Sequence, residues 1–168
     1  MGETSYAIGL GSNRYRGRSP RATVEAAIEA LTGTADVALV ARSPIVDTAP
    51  LGPGSRRYAN AAILIETAFS PSELLQATQA LERSFGRRRT RRWGDRILDL
   101  DILLWSGGCW GDAGLVIPHP EFRQRSFALG PLVAIAPAWI DPVTGLSIRQ
   151  LETRQNRAIP VDRASPHP

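Results

Sequence analysis

Asp99-Leu100-Asp101 sets two carboxylates one residue apart within Ile97 to Leu104, a run with the composition of a strand. Side chains alternate across a strand, so Asp99 and Asp101 share one face while Leu98, Leu100 and Ile102 share the other. Like charges side by side destabilise a strand. A hard cation is the natural compensation, and magnesium takes one or two carboxylates together with water and substrate phosphates. Just upstream, seven arginines (Arg83, Arg87, Arg88, Arg89, Arg91, Arg92, Arg96) fall between positions 83 and 96, opposed locally only by Glu82 and Asp95. A planar guanidinium pairs bidentately with phosphate oxygens. Carboxylates for metal beside arginines for phosphate are what a nucleoside triphosphate needs, because charge must be neutralised while phosphoryl groups move. An RNA-binding loop would account for the arginines but not for the paired carboxylates, and no aromatic-rich RNP1-like stretch accompanies it.

Composition removes other chemistries. All 20 basic residues are arginine, so a phosphate-loop lysine, a Schiff-base lysine and a Ser-Lys dyad are excluded together. One cysteine, Cys109, allows neither an internal disulfide nor a cysteine-rich zinc site, and two histidines, His119 and His167, cannot make a three-histidine metal centre. Gly9-Leu10-Gly11 is not a dinucleotide fingerprint, since Arg14 stands at the third glycine position. A length of 168 residues with 43% apolar content suits one domain with a real core. No apolar run reaches the roughly 18 residues of a membrane span, and no secretory signal is visible. The expected location is therefore the cytoplasm, with no membrane or nucleic-acid partner.

The elements that must position these residues follow from periodicity and caps. Ser5 to Leu10 reads as a strand. Ser19-Pro20 reads as an N-cap with proline at the first helical position, followed by Val24, Ala27, Ile28 and Leu31 at helical spacing and a stop at Gly33. Val37 to Arg42 is a second strand. Positions 43–57 hold three prolines and two glycines and read as a loop. Ala59 to Thr67 is a third strand. Ser70-Pro71-Ser72-Glu73 is a capping box opening a helix that Gly86 closes, and Ile97 to Leu104 is the fourth strand. The order β-α-β-β-α-β predicts an α+β, ferredoxin-like core: an antiparallel sheet with two helices on one face. A C-terminal extension adds the Ile117-Pro118-His119-Pro120 turn, a helix around Glu121 to Ile135, and a last helix opened by a capping box at Ser147 to Gln150. Residues 1–156 are read as one domain and 157–168 as a polar, proline-rich tail. Trp105, Trp110 and Trp139 read as packing residues.

The stretch Arg92-Trp93-Gly94-Asp95-Arg96-Ile97-Leu98-Asp99-Leu100-Asp101-Ile102-Leu103 resembles the signature of the 6-hydroxymethyl-7,8-dihydropterin pyrophosphokinase family. Ala7 to Asn13 is similar to that family's opening segment. Thr48 to Gly52 with Tyr58 to Ala62 is similar to its second block, and Pro118 to Pro120 with Arg125 to Leu132 to its fourth. The resemblance runs from about Tyr6 to Arg154 and implies a ferredoxin-like monomer that moves pyrophosphate from ATP to the pterin hydroxyl in folate synthesis. It implies that Asp99 and Asp101 hold two magnesium ions, and that Arg87, Arg89, Arg92 and Arg96 contact phosphates, with Arg92 and Arg96 nearest the transferred group. Gln79, Glu82, Ile102, His119 and Arg125 would also lie at the ATP site. Tyr58 and Phe127 would stack on the pterin, Asn60 would read its amide edge, Thr48 and Leu51 would line the pocket, and Trp93 would close over it. Three positions depart from the family pattern: Asp95, where proline or a small residue is usual, Ala49, where a proline is usual, and Val116, where a polar residue is common.

Overall fold

Apolar residues at every second position build the strands, and they do so on both faces of one sheet. The computed structural model describes residues 2–15, 17–48, 57–86 and 97–158. Strands β1 (Thr4–Ser12), β2 (Val37–Arg42), β3 (Val46–Thr48), β4 (Tyr58–Thr67) and β5 (Asp99–Trp105) form an antiparallel sheet in the order β2-β4-β1-β5, with β3 pairing further along β4. Leaving β3 aside, this is the split βαβ topology expected of the sequence.

On one face, Tyr6, Ile8 and Leu10 of β1, Ala61, Ile63 and Ile65 of β4, and Leu100 and Ile102 of β5 share a core. Helices α1 (Pro20–Thr32) and α2 (Pro71–Ser84) cover it. Ser19 caps α1 by accepting from Ala22 N–H. At α2 the Ser70–Glu73 capping box is formed in both directions, satisfying N–H groups that have no partner within the helix. Gly86 adopts φ 92°, a left-handed conformation that glycine reaches without steric cost.

The opposite face is covered as well. Ala7, Ala62, Leu103 and Leu104 pack against Phe122, Leu129, Leu132, Ile148 and Leu151, supplied by a 3-10 turn (Phe122–Gln124), α3 (Ser126–Ile135) and α4 (Ile148–Ala158). The extension is thus a third layer. The helix expected from Glu121 to Ile135 is divided: its first turn is 3-10 and α3 begins only at Ser126. The Ser147–Gln150 capping box is formed at α4. β6 (Trp110–Gly111) and β7 (Val116–Ile117) make a small hairpin beside β5. Trp105 stacks on Tyr6 at 6.3 Å and meets Trp110 edge-on at 5.9 Å, while Trp139 packs against the second core, so all three tryptophans are packing residues.

One expected loop contains a strand. β3 pairs Val46 with Asn60 and Thr48 with Tyr58. Pro44 has no N–H to continue a ladder. The chain crosses the interruption with Ser43, whose N–H donates to the Ala62 carbonyl and whose hydroxyl accepts from Ala62 N–H, both at 2.9 Å.

A buried ion pair ties the third layer together. Asp141, 0% exposed, accepts from Arg123 Nε and from a second guanidinium nitrogen, both at 2.7 Å. It also accepts from Thr144 Oγ1 and Val143 N–H. Burial pushes the Asp141 carboxyl up, but hydrogen bonds from Arg123, Thr144 and Val143 outweigh it and hold the group below its ordinary value of 3.8. A depressed carboxyl contributes stability above the unfolded-state value and loses it as pH falls through the folded one. Asp141→Asn is therefore expected to lose about 3 kcal/mol at pH 7. In urea titrations across pH, that deficit should shrink once pH drops below 3.8.

Candidate active site

The register of β1 against β5 sets the geometry of the carboxylate pair. Asp99 opposes Gly11 and Asp101 opposes Gly9, so the two acids share the α3-side face with residues that carry no side chain. On the other flank of β1, Gly11 opposes Asn60 and Gly9 opposes Ala62. Asn60 and Asp99 therefore stand two strand spacings apart, about 10 Å, in one row. Close approach explains the glycines: a Cβ on Gly11 would lie 3.0 Å from Asn60 Oδ1, and one on Gly9 would lie 3.2 Å from Leu103 Cδ1. Asn60 is only 4% exposed and donates through Nδ2 to Thr48 Oγ1 at 2.7 Å. Thr48 thus fixes which edge of the amide remains for a ligand. Tyr58, half-buried, lies on the same face by alternation and opposes Thr48.

Glu82 lies beneath the carboxylate strand. It is 3% exposed on α2, and its Oε1 accepts the Leu100 N–H at 2.9 Å. β5 is an edge of the sheet, so this N–H has no strand partner, and a buried orphan donor costs about 1–3 kcal/mol. Glu82 thereby fixes the backbone between the two acids. Ile102 faces away from them into the first core, and Gln79 is exposed on α2.

The third layer brings His119 to the same strand. His119 N–H donates to the Leu103 carbonyl at 3.0 Å, and Nδ1 accepts from Glu121 N–H at 3.2 Å. That assignment leaves Nε2 as the protonated nitrogen, 3.9 Å from Asp101 Oδ1. Burial lowers the His119 pKa, Asp101 opposes that and Arg125 adds to it; the balance is below the ordinary value, so the ring is neutral at pH 7. Arg125 pairs with Glu121 and lies over the Phe127 ring at 5.6 Å, and Phe127 packs on the second core.

The sequence-predicted residues Thr48, Tyr58, Asn60, Asp99 and Asp101 thus share one face of the sheet, with His119, Arg125 and Phe127 supplied by the layer over it. Leu51, Arg87, Arg89, Arg92, Trp93 and Arg96, with the departures Ala49 and Asp95, lie outside the described residues. Val116 is exposed in β7. Sequence reasoning missed the roles of Gly9 and Gly11, although their two-residue spacing already placed them on one face. It also missed Asn13, which is 7% exposed with Oδ1 lacking a hydrogen-bond partner among the described residues.

Among the described residues no group of three or more His, Cys, Asp and Glu could cage a metal. A pair of half-exposed carboxylates on a strand fits a magnesium ion that keeps waters and substrate oxygens in its shell. The family model for 7,8-dihydro-6-hydroxymethylpterin-pyrophosphokinase matches residues 7–137. The chain belongs to this family. Its pyrophosphokinase relatives carry the name 2-amino-4-hydroxy-6-hydroxymethyldihydropteridine pyrophosphokinase. The protein from Methylorubrum extorquens is 38% identical over 144 residues, 85% of this chain and 88% of its own. That from Pseudomonas aeruginosa is 40% identical over 131 residues, 77% and 79%. That from Synechocystis is 44% identical over 100 residues, which span 60% of this chain and 51% of the relative. The fold is shared with the Plasmodium falciparum HPPK-DHPS crystal structure at TM-score 0.73 and 13% identity, over 91% of this chain and 41% of that one. No helix among the described residues is long and apolar enough to cross a membrane.

The Glu82 contact yields a local test. Glu82→Leu is expected to abolish amide-exchange protection at Leu100 while Leu10, inside the sheet, keeps its own; Glu82→Gln, which retains an acceptor, should preserve most of it. Equal protection at Leu100 in wild type and Glu82→Leu would remove the proposed anchor.

Proposed function

We propose that this chain transfers pyrophosphate from ATP to the hydroxyl of 6-hydroxymethyl-7,8-dihydropterin, giving AMP and the pterin diphosphate in tetrahydrofolate synthesis. The observation that carries this reading is the row Asn60–Gly11–Asp99. A polar ring-reading amide and a metal-competent carboxylate face one open strip of sheet, about two strand spacings apart. Family membership supports the same assignment.

The substrate oxygen forms a bond to the β-phosphorus of ATP while the bond from that phosphorus to the bridging α-oxygen breaks and AMP leaves. The chain's share is positioning and charge neutralisation. Asp99 and Asp101 would hold two magnesium ions, which when bound would neutralise phosphate charge and lower the hydroxyl pKa, so that a strong base would be unnecessary. Arg87, Arg89, Arg92, Arg96, His119 and Arg125 contact phosphates. Gln79 borders the nucleotide from α2; Ile102, expected there too, has its side chain buried in the first core and meets the site through its backbone alone; Glu82 acts through the β5 backbone. Tyr58 and Phe127 offer aromatic faces to the pterin, Asn60 and Thr48 read its edge, and Leu51 and Trp93 close the pocket. One domain carries every assigned residue, so a monomer suffices, and a cytoplasmic location fits a reaction that consumes ATP.

The test is AMP release from magnesium-ATP with the pterin. AMP should form only with both substrates and stop with EDTA. Asp101→Ala should lower turnover at least a thousandfold, about 4 kcal/mol, with unchanged melting; turnover within threefold of wild type would overturn the metal role. Gly11→Ala, by pushing on Asn60, should raise the pterin Kd about tenfold and leave the ATP Kd within twofold, as read by titration calorimetry.

A further inference from the structure

We infer that Arg123 and Asp141 are positioning residues for the nucleotide half of the site: their ion pair holds the turn that carries His119 and Arg125. The inference rests on the phosphate roles proposed above for those two residues.

The turn is wound on itself. Phe122 N–H donates to the His119 carbonyl at 3.3 Å, Gln124 N–H to Glu121 at 3.1 Å, and Arg125 N–H to Phe122 at 3.3 Å. Residues 119–125 therefore move together. The turn is fixed at its start by His119 N–H on the Leu103 carbonyl and at its end by the first turn of α3, where Ala128 and Leu129 N–H donate to the Arg125 carbonyl. Between these ends, Phe122 is fully buried but apolar, so it holds depth without direction. Direction comes from Arg123. Its guanidinium lies over the Phe122 ring at 4.7 Å and meets Asp141 in a two-pronged contact, a fixed fork geometry.

Asp141 is itself tied through both its backbone and its carboxylate. Its N–H donates to the Leu146 carbonyl and its own carbonyl accepts from Gly145 N–H, each at 2.9 Å, while its carboxylate turns the chain through Val143 and Thr144. The bridge between Ile140 and Ser147 then delivers the chain to α4. Asp141 is thus a rigid post, remote in sequence from the turn it orients. With four donors on its two oxygens it is also saturated.

The experiment compares Arg123→Met, Arg123→Lys and Asp141→Asn in the full chain, assayed well below each melting temperature. Three readings are taken: kcat, KM for each substrate, and calorimetric Kd for magnesium α,β-methylene-ATP, whose α–β link cannot be cleaved. Arg123→Met is expected to weaken nucleotide-analogue binding at least tenfold with the pterin KM within twofold. Arg123→Lys, which keeps the charge but loses the fork, should fall between; it and Asp141→Asn serve if Arg123→Met does not fold. A purely structural role would lower melting temperature and leave the constants of the folded enzyme unchanged. Constants within twofold of wild type, or equal losses on the two substrates, overturn the inference. His119→Ala and Arg125→Ala run in parallel: if neither weakens the analogue, the phosphate assignment fails and the inference falls with it. If they do and the Arg123 variants do not, only the inference fails.

Discussion

Repulsion between Asp99 and Asp101 is the constraint to which the neighbouring strands are fitted. Two carboxylates on one face of a strand must be given room, polar company and a backbone that does not yield. The room comes from β1, which opposes them with Gly11 and Gly9. The company comes from His119, whose Nε2 stands 3.9 Å from Asp101. The firmness comes from Glu82, which anchors the Leu100 N–H between the two acids from the opposite side of the sheet. The same glycines let Asn60 approach β1 closely, so the space that relieves the acids also shapes the far end of the row.

The core and the caps were legible because they are local. Ser70 and Glu73 name a helix start, alternation in β1 and β4 names a sheet, and the shared face of Asp99 and Asp101 follows from a period of two. What escaped was decided by residues distant in the chain. β3 was hidden because Pro44 breaks the run, and only Ser43 bonding across to Ala62 restores the path. Glu82 was read as a nucleotide contact, since its bond to the Leu100 backbone, eighteen positions away, has no local signature. The Arg123–Asp141 pair likewise joins separate segments, and each partner alone reads as a surface charge. The arginine-rich run and the second half of the pterin loop lie outside the described residues, so their roles rest on the resemblance and the family match.

The layers divide the labour of the proposed reaction. The sheet supplies the row that faces both substrates. The layer of α1 and α2 fixes that row from beneath, through core packing and Glu82. The C-terminal layer adds His119, Arg125 and Phe127 from above. Expected from sequence as an appendage, this layer supplies three of the eight described side chains that complete the face.

Closure of the β5 edge has a further outcome for how the molecule meets its own copies. An open strand edge invites another chain to add to the sheet. Along β5, the Leu100 donor is taken by Glu82 and the Leu103 acceptor by His119, so two of the groups that an incoming strand would pair with are already occupied. The opposite border is guarded by other means: β2 slips register between Leu39 and Ala41, and Arg42 is locked to Glu25 at 2.6–2.7 Å. The sheet is therefore asymmetric at its margins, sealed by function on one side and by irregularity on the other, and the same bonds that hold the site in place keep it from becoming sticky.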